Sequence, residues 1–153
     1  MHRHGYKGRK FGREKDQRRA LLRGLECSLI KNTSITVTLA RAKEMRRETE
    51  KLITIARKGG LANRRLLIAR LDSIECADLL MDVVAPQIKR NSGYLRIEHA
   101  GFRTGDNSEM GTISFVDDIS TERSQESGSS LGQAKTEMSE RSEDIDLTKK
   151  EAK

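Results

Sequence analysis

Arg3, Lys7, Arg9, Lys10 and Arg13 are the residues whose types and spacing most directly imply a chemistry, the neutralisation of a polyanion. They stand with Gly5, Gly8 and Gly12 in a thirteen-residue opening that contains no acid. The first twenty-three residues hold nine Lys/Arg against two acids. The acid-free stretch of the first thirteen residues cannot bury a core and repels itself in isolation. It gains a stable setting against dense negative charge, because each phosphate neutralised by Lys or Arg releases condensed counterions. Glycines alternating with basic residues and with Tyr6 and Phe11 let backbone approach phosphate while each side chain finds its own contact. His4 adds a hydrogen-bonding neighbour for phosphate.

No catalytic constellation accompanies this polycation. The chain has no Gly-rich dinucleotide motif, no Walker-type loop and no HExxH helix. His2 and His4 are two apart and His99 is distant, which falls short of the three or four fixed ligands of a metal site. Asp117-Asp118 could imitate a paired-carboxylate site, but the expectation is that they end the last strand and stay solvated. The sequence predicts no enzyme, no cofactor, no metal and no small-molecule substrate. Cys27 and Cys76 lack CxxC spacing and fall in apolar helical patterns, so they read as reduced, buried thiols. No apolar run approaches the ~18–20 residues that span a bilayer, and the basic N-terminus has no apolar h-region, so neither a membrane partner nor a secretory signal is expected.

The elements that must position these cations follow from periodicity. A helix is predicted over 16–30, with Leu21, Leu25 and Leu29 on one stripe, widened by Ala20 and Leu22, and Arg18, Arg19 and Arg23 on the other side. Ser34 to Thr38 alternates as a short strand. Thr38 then caps a helix from Leu39 to Lys58. Its buried side carries Leu39, Ala42, Met45, Thr49, Leu52, Ile53 and Ala56; its polar side carries Lys43, Arg46, Arg47 and Arg57. Gly59-Gly60 ends it. A third helix over 61–71 holds Arg64, Arg65 and Arg70. Asp72 and Glu75 have capping-box spacing for a fourth, with Ile74, Ala77, Leu80, Met81 and Val84 buried and Pro86 at its end. Strands at 94–99, which includes Arg96, and 112–116 flank an irregular loop over 100–111 that carries Arg103. The order α-β-α-α-α-β-β predicts an α+β two-layer domain with helices on one face of a small three-stranded antiparallel sheet. The organisation is then a basic polyanion-binding arm over 1–13, a globular domain over 14–118 and a disordered Ser/Glu-rich tail over 119–153. Charge divides the same way: residues 1–118 hold 24 Lys/Arg and 15 Asp/Glu, the remainder 6 and 8.

Residues 1–118 also carry ordered motifs: Arg3-His4, Gly8 to Arg13, Arg19 to Leu25, Ser28 to Ile30, Ile35 to Leu39, Ala42 to Arg47, Glu50 to Thr54, Arg64-Arg65, Gly93 to Ile97, Gly105-Asp106 and Met110. In that order they resemble the bacterial large-subunit ribosomal protein family numbered seventeen. Phe102-Arg103-Thr104 departs from that family's Pro-Arg-Arg-like stretch, and Glu14 to Gln17 replaces a Ser/His-rich turn. His2 and the long tail lie outside its pattern. The resemblance implies a structural, non-enzymatic protein of the large ribosomal subunit in the cytoplasm. It implies binding to 23S ribosomal RNA beside neighbouring ribosomal proteins near the polypeptide exit region. The RNA-binding set is then Arg3, His4, Lys7, Arg9, Lys10, Arg13, Arg18, Arg19, Arg23, Lys43, Arg46, Arg47, Arg64, Arg65, Arg96 and Arg103. Two rival classes remain: a DNA-binding module using the helices at 61–71 and 73–85, and a metal-dependent nuclease. The first lacks a glycine turn between its helices and has an acidic second helix (Glu75, Asp78, Asp82).

Overall fold

A computed structural model describes residues 8–120. The strongest apolar period in the chain forms its central element, α2 (Leu39–Lys58), whose buried residues are the seven that the spacing predicts. α1 (Lys15–Asn32) precedes it and β1 (Ser34–Thr38) joins the two. α3 (Leu61–Leu71) follows the paired glycines, whose φ values of +64° and +87° make a turn that L side chains resist. β2 (Leu95–Phe102) and β3 (Glu109–Phe115) complete an antiparallel sheet of order β1-β3-β2. Ile35, Ile113 and Ile97 form one rung across all three strands. Helices cover that face, and the core joins Leu29, Ile30, Met45, Ile53, Leu67, Leu80, Leu95 and Ile113. The opposite face carries Thr36 and Thr112, whose hydroxyls meet at 3.0 Å. The two-layer α+β architecture is therefore as the patterning predicts.

Several local expectations are corrected. α1 turns a different face inward: Glu26, Leu29 and Ile30 are buried, while Leu21 and Leu25 are half-buried and Ala20 is exposed. Thr38 holds the N-cap position of α2 without a side-chain capping bond. Asp72 does not cap the fourth helix; it closes α3 in the left-handed region at φ 58°. The cap is Ser73, whose hydroxyl accepts from the Cys76 N–H at 3.3 Å, so α4 (Ile74–Asp78) starts one residue later and leaves Ile74 exposed.

Pro86 does not end this helix. A π-helical stretch (Leu79–Val84) leads into a last turn, α5 (Ala85–Gln87). The Ala85 N–H donates to the Leu80 carbonyl, five residues back. The widened turn accommodates a proline whose missing N–H and bulky ring would break an ordinary α-helix.

Half of the irregular loop over 100–111 is strand. β2 and β3 extend past a bulge between His99 and Phe102, leaving a short tip from Arg103 to Ser108. Gly111 lies where the sheet meets α2; a Cβ there would stand 3.2 Å from Leu39 Cδ1.

Asp117 is not merely solvated: its carboxylate accepts from the backbone N–H groups of Lys89 and Arg90 at 3.0 and 3.4 Å and pairs with the Arg90 guanidinium. The packed body also runs two residues past Asp118. Ile119 packs on the core, and Ser120 exchanges hydrogen bonds with the Gln87 side chain. The expectation of disorder over 119–153 otherwise falls outside the described residues.

Candidate nucleic-acid interface

The expected RNA-binding residues separate into three sets by what their charges already touch. Arg3, His4 and Lys7 lie outside the described residues. Arg9, Lys10 and Arg13 are exposed. A tight turn holds this part of the arm, with Arg13 N–H donating to the Lys10 carbonyl at 3.1 Å. The Arg13 guanidinium bonds the Phe11 carbonyl and Arg18 reaches the Arg13 carbonyl at 3.5 Å, so the arm continues onto the start of α1. Arg9 and Lys43 share a depression at the start of α2, bordered by Ser108 and Glu109 of the hairpin. The fold thus brings together three segments that are distant in sequence: the arm, α2 and the β2–β3 tip.

A second set is engaged by protein carboxylates. Arg23 donates to Asp72 at 3.1 Å and to the Ala69 carbonyl at 3.4 Å, fastening α1 to the end of α3 rather than extending a solvent-facing stripe. Arg64 clasps Asp78 at 2.7 Å. Arg46 pairs with Glu50, and Arg47 lies between Glu44 and Glu48. Arg96 pairs loosely with Glu98 at 3.7 Å. Arg103 is held most firmly. Its Nε and Nη2 donate to the two Asp106 oxygens at 3.0 and 2.6 Å, and Ser108 adds two more bonds to that carboxylate. The guanidinium beside it and the Ser108 hydroxyl hold the Asp106 carboxyl well below the usual carboxylate range. Exposed pairs are worth only ~0–1 kcal/mol each, so phosphate can displace them, but only by exchanging one partner for another. Arg57, placed on the polar side of α2 by spacing alone, is structural. It donates to the Arg90 carbonyl, Tyr94 Oη and Asn91, and lies 5.7 Å from the Tyr94 ring centre.

The third set has no such partner. Arg19, Lys43 and Arg65 are exposed and make no ion pair or hydrogen bond among the described residues. Arg70, absent from the expected set, joins them. Arg19 and Arg70 face one cleft of about 600 Å³ between α1, α2 and α3, and Glu26 lines it too. Glu26 is 5 % exposed. Burial first, then the charge of Glu48, push its carboxyl up to about 8, against the opposing pull of Arg23. Its position could have been suspected from spacing: Glu26 falls four residues after Leu22 and four before Ile30, within the buried stripe.

Among the described residues no group of three or more His, Cys, Asp or Glu could hold a metal ion. No described helix is long and apolar enough to cross a membrane. Cys76 is buried, whereas Cys27 is only half-buried, and both are free thiols. Burial and the neighbouring Cys76 thiol push the Cys27 thiol up to about 12, which keeps it protonated and unreactive at neutral pH.

The sequence matches the family model described as Ribosomal protein L17 over residues 21–116. Similar curated proteins include the large ribosomal subunit protein bL17 of Rhodopseudomonas palustris strain TIE-1, 45 % identical over 82 % of this chain and 91 % of that protein. The bL17 proteins of Zymomonas mobilis and Sphingopyxis alaskensis are 48 % and 47 % identical, each over 82 % of this chain and 91 % of the relative. These relatives are ribosomal proteins rather than enzymes. With a family match over most of the body and relatives of this similarity along nearly their whole length, the chain belongs to the ribosomal protein L17 family.

Proposed function

We propose that this protein is a structural constituent of the large ribosomal subunit that binds 23S ribosomal RNA in the cytoplasm and supports subunit assembly. It would lie beside other ribosomal proteins near the polypeptide exit region. The observation that carries the RNA reading is the convergence of cations from separate segments. Arg9 of the arm and Lys43 of α2 line one depression, and Arg19 and Arg70 face a common cleft without partners among the described residues. The ammonium of Lys43 and the guanidinium groups of Arg19 and Arg70, uncompensated among the described residues, suit a phosphate lattice rather than a small ligand. Recognition is by phosphate, 2′-hydroxyl and shape, since the A-form major groove is too narrow for side chains to read.

The proposed division of labour has three parts. The arm over 1–13 enters crevices between RNA helices and screens their phosphates. The body over 14–118 docks, and the segment over 119–153 is assigned no role. Co-sedimentation tests the reading. The protein travels with large subunits and leaves them only in high salt, and it prefers ribosomal RNA to duplex DNA of equal length at moderate salt. Equal binding to duplex DNA, or release at low salt, contradicts it.

A further inference from the structure

The α1–α2–α3 cleft combines features that surface ion pairing does not explain. Glu26 is 95 % buried, taking its relative exposure of 5 %, yet it makes no hydrogen bond or ion pair among the described residues. No fully buried side-chain oxygen in the described structure lacks a partner. The Glu26 oxygens therefore keep an opening onto the cleft that they line. A buried carboxyl without a partner is costly and calls for an occupant.

The charges around it identify that occupant. From α1, Arg23 is committed to Asp72. From α2, Glu44 and Glu48 hold Arg47, and Lys51 pairs with Glu48 at 3.1 Å. Those carboxylates are compensated. Arg19 of α1 and Arg70 of α3 are not, so the net field at the mouth is positive. A basic peptide is repelled there, and a metal ion lacks a ligand set. An anion is attracted, and a neutral carboxylic acid at the floor is a donor to it. The volume of about 600 Å³ admits a nucleotide-sized group rather than a bare ion only.

We propose that this cleft takes a phosphodiester of the bound RNA, gripped by Arg19 and Arg70 and hydrogen-bonded at its floor by the Glu26 carboxyl. The inference rests on the RNA-binding reading and assigns it a specific pocket. It also makes the contact dependent on pH. The carboxyl is a donor while it keeps its proton, to about pH 8, and a repelling carboxylate above. Affinity is then level at pH 6–7 and falls by up to about tenfold for each pH unit beyond 8, the limit for one linked proton.

Filter binding of the full chain to transcribed 23S ribosomal RNA between pH 6 and 9, at constant ionic strength, tests this. Thermal unfolding is recorded for every variant. Glu26→Gln keeps an uncharged donor, so it binds within about twofold of the wild type at pH 6 and loses the decline above pH 8. The double substitution Arg19→Ala/Arg70→Ala folds normally, binds about tenfold more weakly and loses the same decline. The proposal is overturned if Glu26→Gln keeps the full decline, or if the double variant binds as tightly as the wild type. A hexaglutamate peptide tests the other anion. If it binds the wild type but not the double variant, and 23S ribosomal RNA does not displace it, the cleft is a carboxylate site and the proposal fails. If the wild-type chain does not bind ribosomal RNA at all, the RNA reading itself falls. If the wild type binds with steep salt dependence but both variants behave like it, the pocket alone falls.

Discussion

The α1–α2–α3 cleft and the β2–β3 hairpin tip both display arginine to solvent, and they do opposite things with it. At the tip, Arg103 spends two donors on Asp106, which Ser108 braces in turn. Its charge is cancelled where it stands, and it shapes the turn. In the cleft, Arg19 and Arg70 have no carboxylate, and the nearby acid that could serve them, Glu26, is buried and uncharged at neutral pH. Equal residue types therefore carry different electrostatic worth. A count of cations measures attraction to a polyanion only after the internal pairs are subtracted.

The largest expected effect concerns Glu26 itself. Its unfolded carboxyl ionises near 4.5 and its folded one near 8. The folded state thus holds a proton that the unfolded state releases across that window, and stability falls as pH rises from about 4.5 to about 8. Below that window the wild type carries no penalty. Above it, Glu26→Gln is the more stable protein by roughly 3–5 kcal/mol. Urea unfolding at pH 4.5 and pH 8.5 checks this, and equal pH dependence in both proteins breaks the contrast drawn between the two regions.

Removing residues 2–13 comes next. It weakens binding to ribosomal RNA by about a hundredfold at moderate salt, through the loss of several phosphate contacts, and leaves the body's thermal midpoint in place. Full occupancy of large subunits by the truncated chain contradicts the role given to the arm.

Arg57→Ala separates structural from binding cations. Arg57 ties α2 to the segment before β2 through Tyr94 and Asn91, so its loss destabilises the fold by about 1–2 kcal/mol. RNA affinity of the folded variant stays within about twofold, since its donors already face protein. A large affinity loss without destabilisation reverses that assignment.

The smallest effects are at the hairpin. Arg103→Ala changes RNA affinity by less than about twofold while speeding amide exchange at the tip. Asp106→Asn releases the guanidinium and removes a negative charge, so affinity rises by a few-fold at low salt and less at high salt. If Arg103→Ala costs as much affinity as Arg19→Ala/Arg70→Ala, the distinction between clamped and unclamped arginines collapses.

The residues of α2 show where sequence is sufficient. Its stripe from Leu39 to Ala56 is continuous, its ends are marked by a strand and by Gly59-Gly60, and every expected burial is observed. α1 is less legible because leucines occur on two adjacent faces, and only packing decides that Glu26, Leu29 and Ile30 are buried while Leu21, Leu22 and Leu25 stay half-buried. The start of α4 was ambiguous because Asp72 and Ser73 are both capable caps. A left-handed Asp72 closing α3 leaves the role to Ser73. Pro86 signals a stop unless a π-helical turn precedes it, and periodicity does not announce that turn.

The interface was legible in residue type and not in partnership. Arg23 meets Asp72 across 49 positions and Arg64 meets Asp78 across 14. No local pattern shows such pairs, and they decide which cations remain uncompensated. Arg70 escapes a reading of the sequence for the same reason: its importance comes from α1 across the cleft, not from its neighbours in α3.

Salt titration of the full chain on 23S ribosomal RNA tests the central claim most directly. Several phosphate contacts give a log–log slope of affinity against salt of about −4 or steeper, with arm deletion making it shallower by two or more. A slope near zero, or one unchanged by removing the arm, contradicts the account.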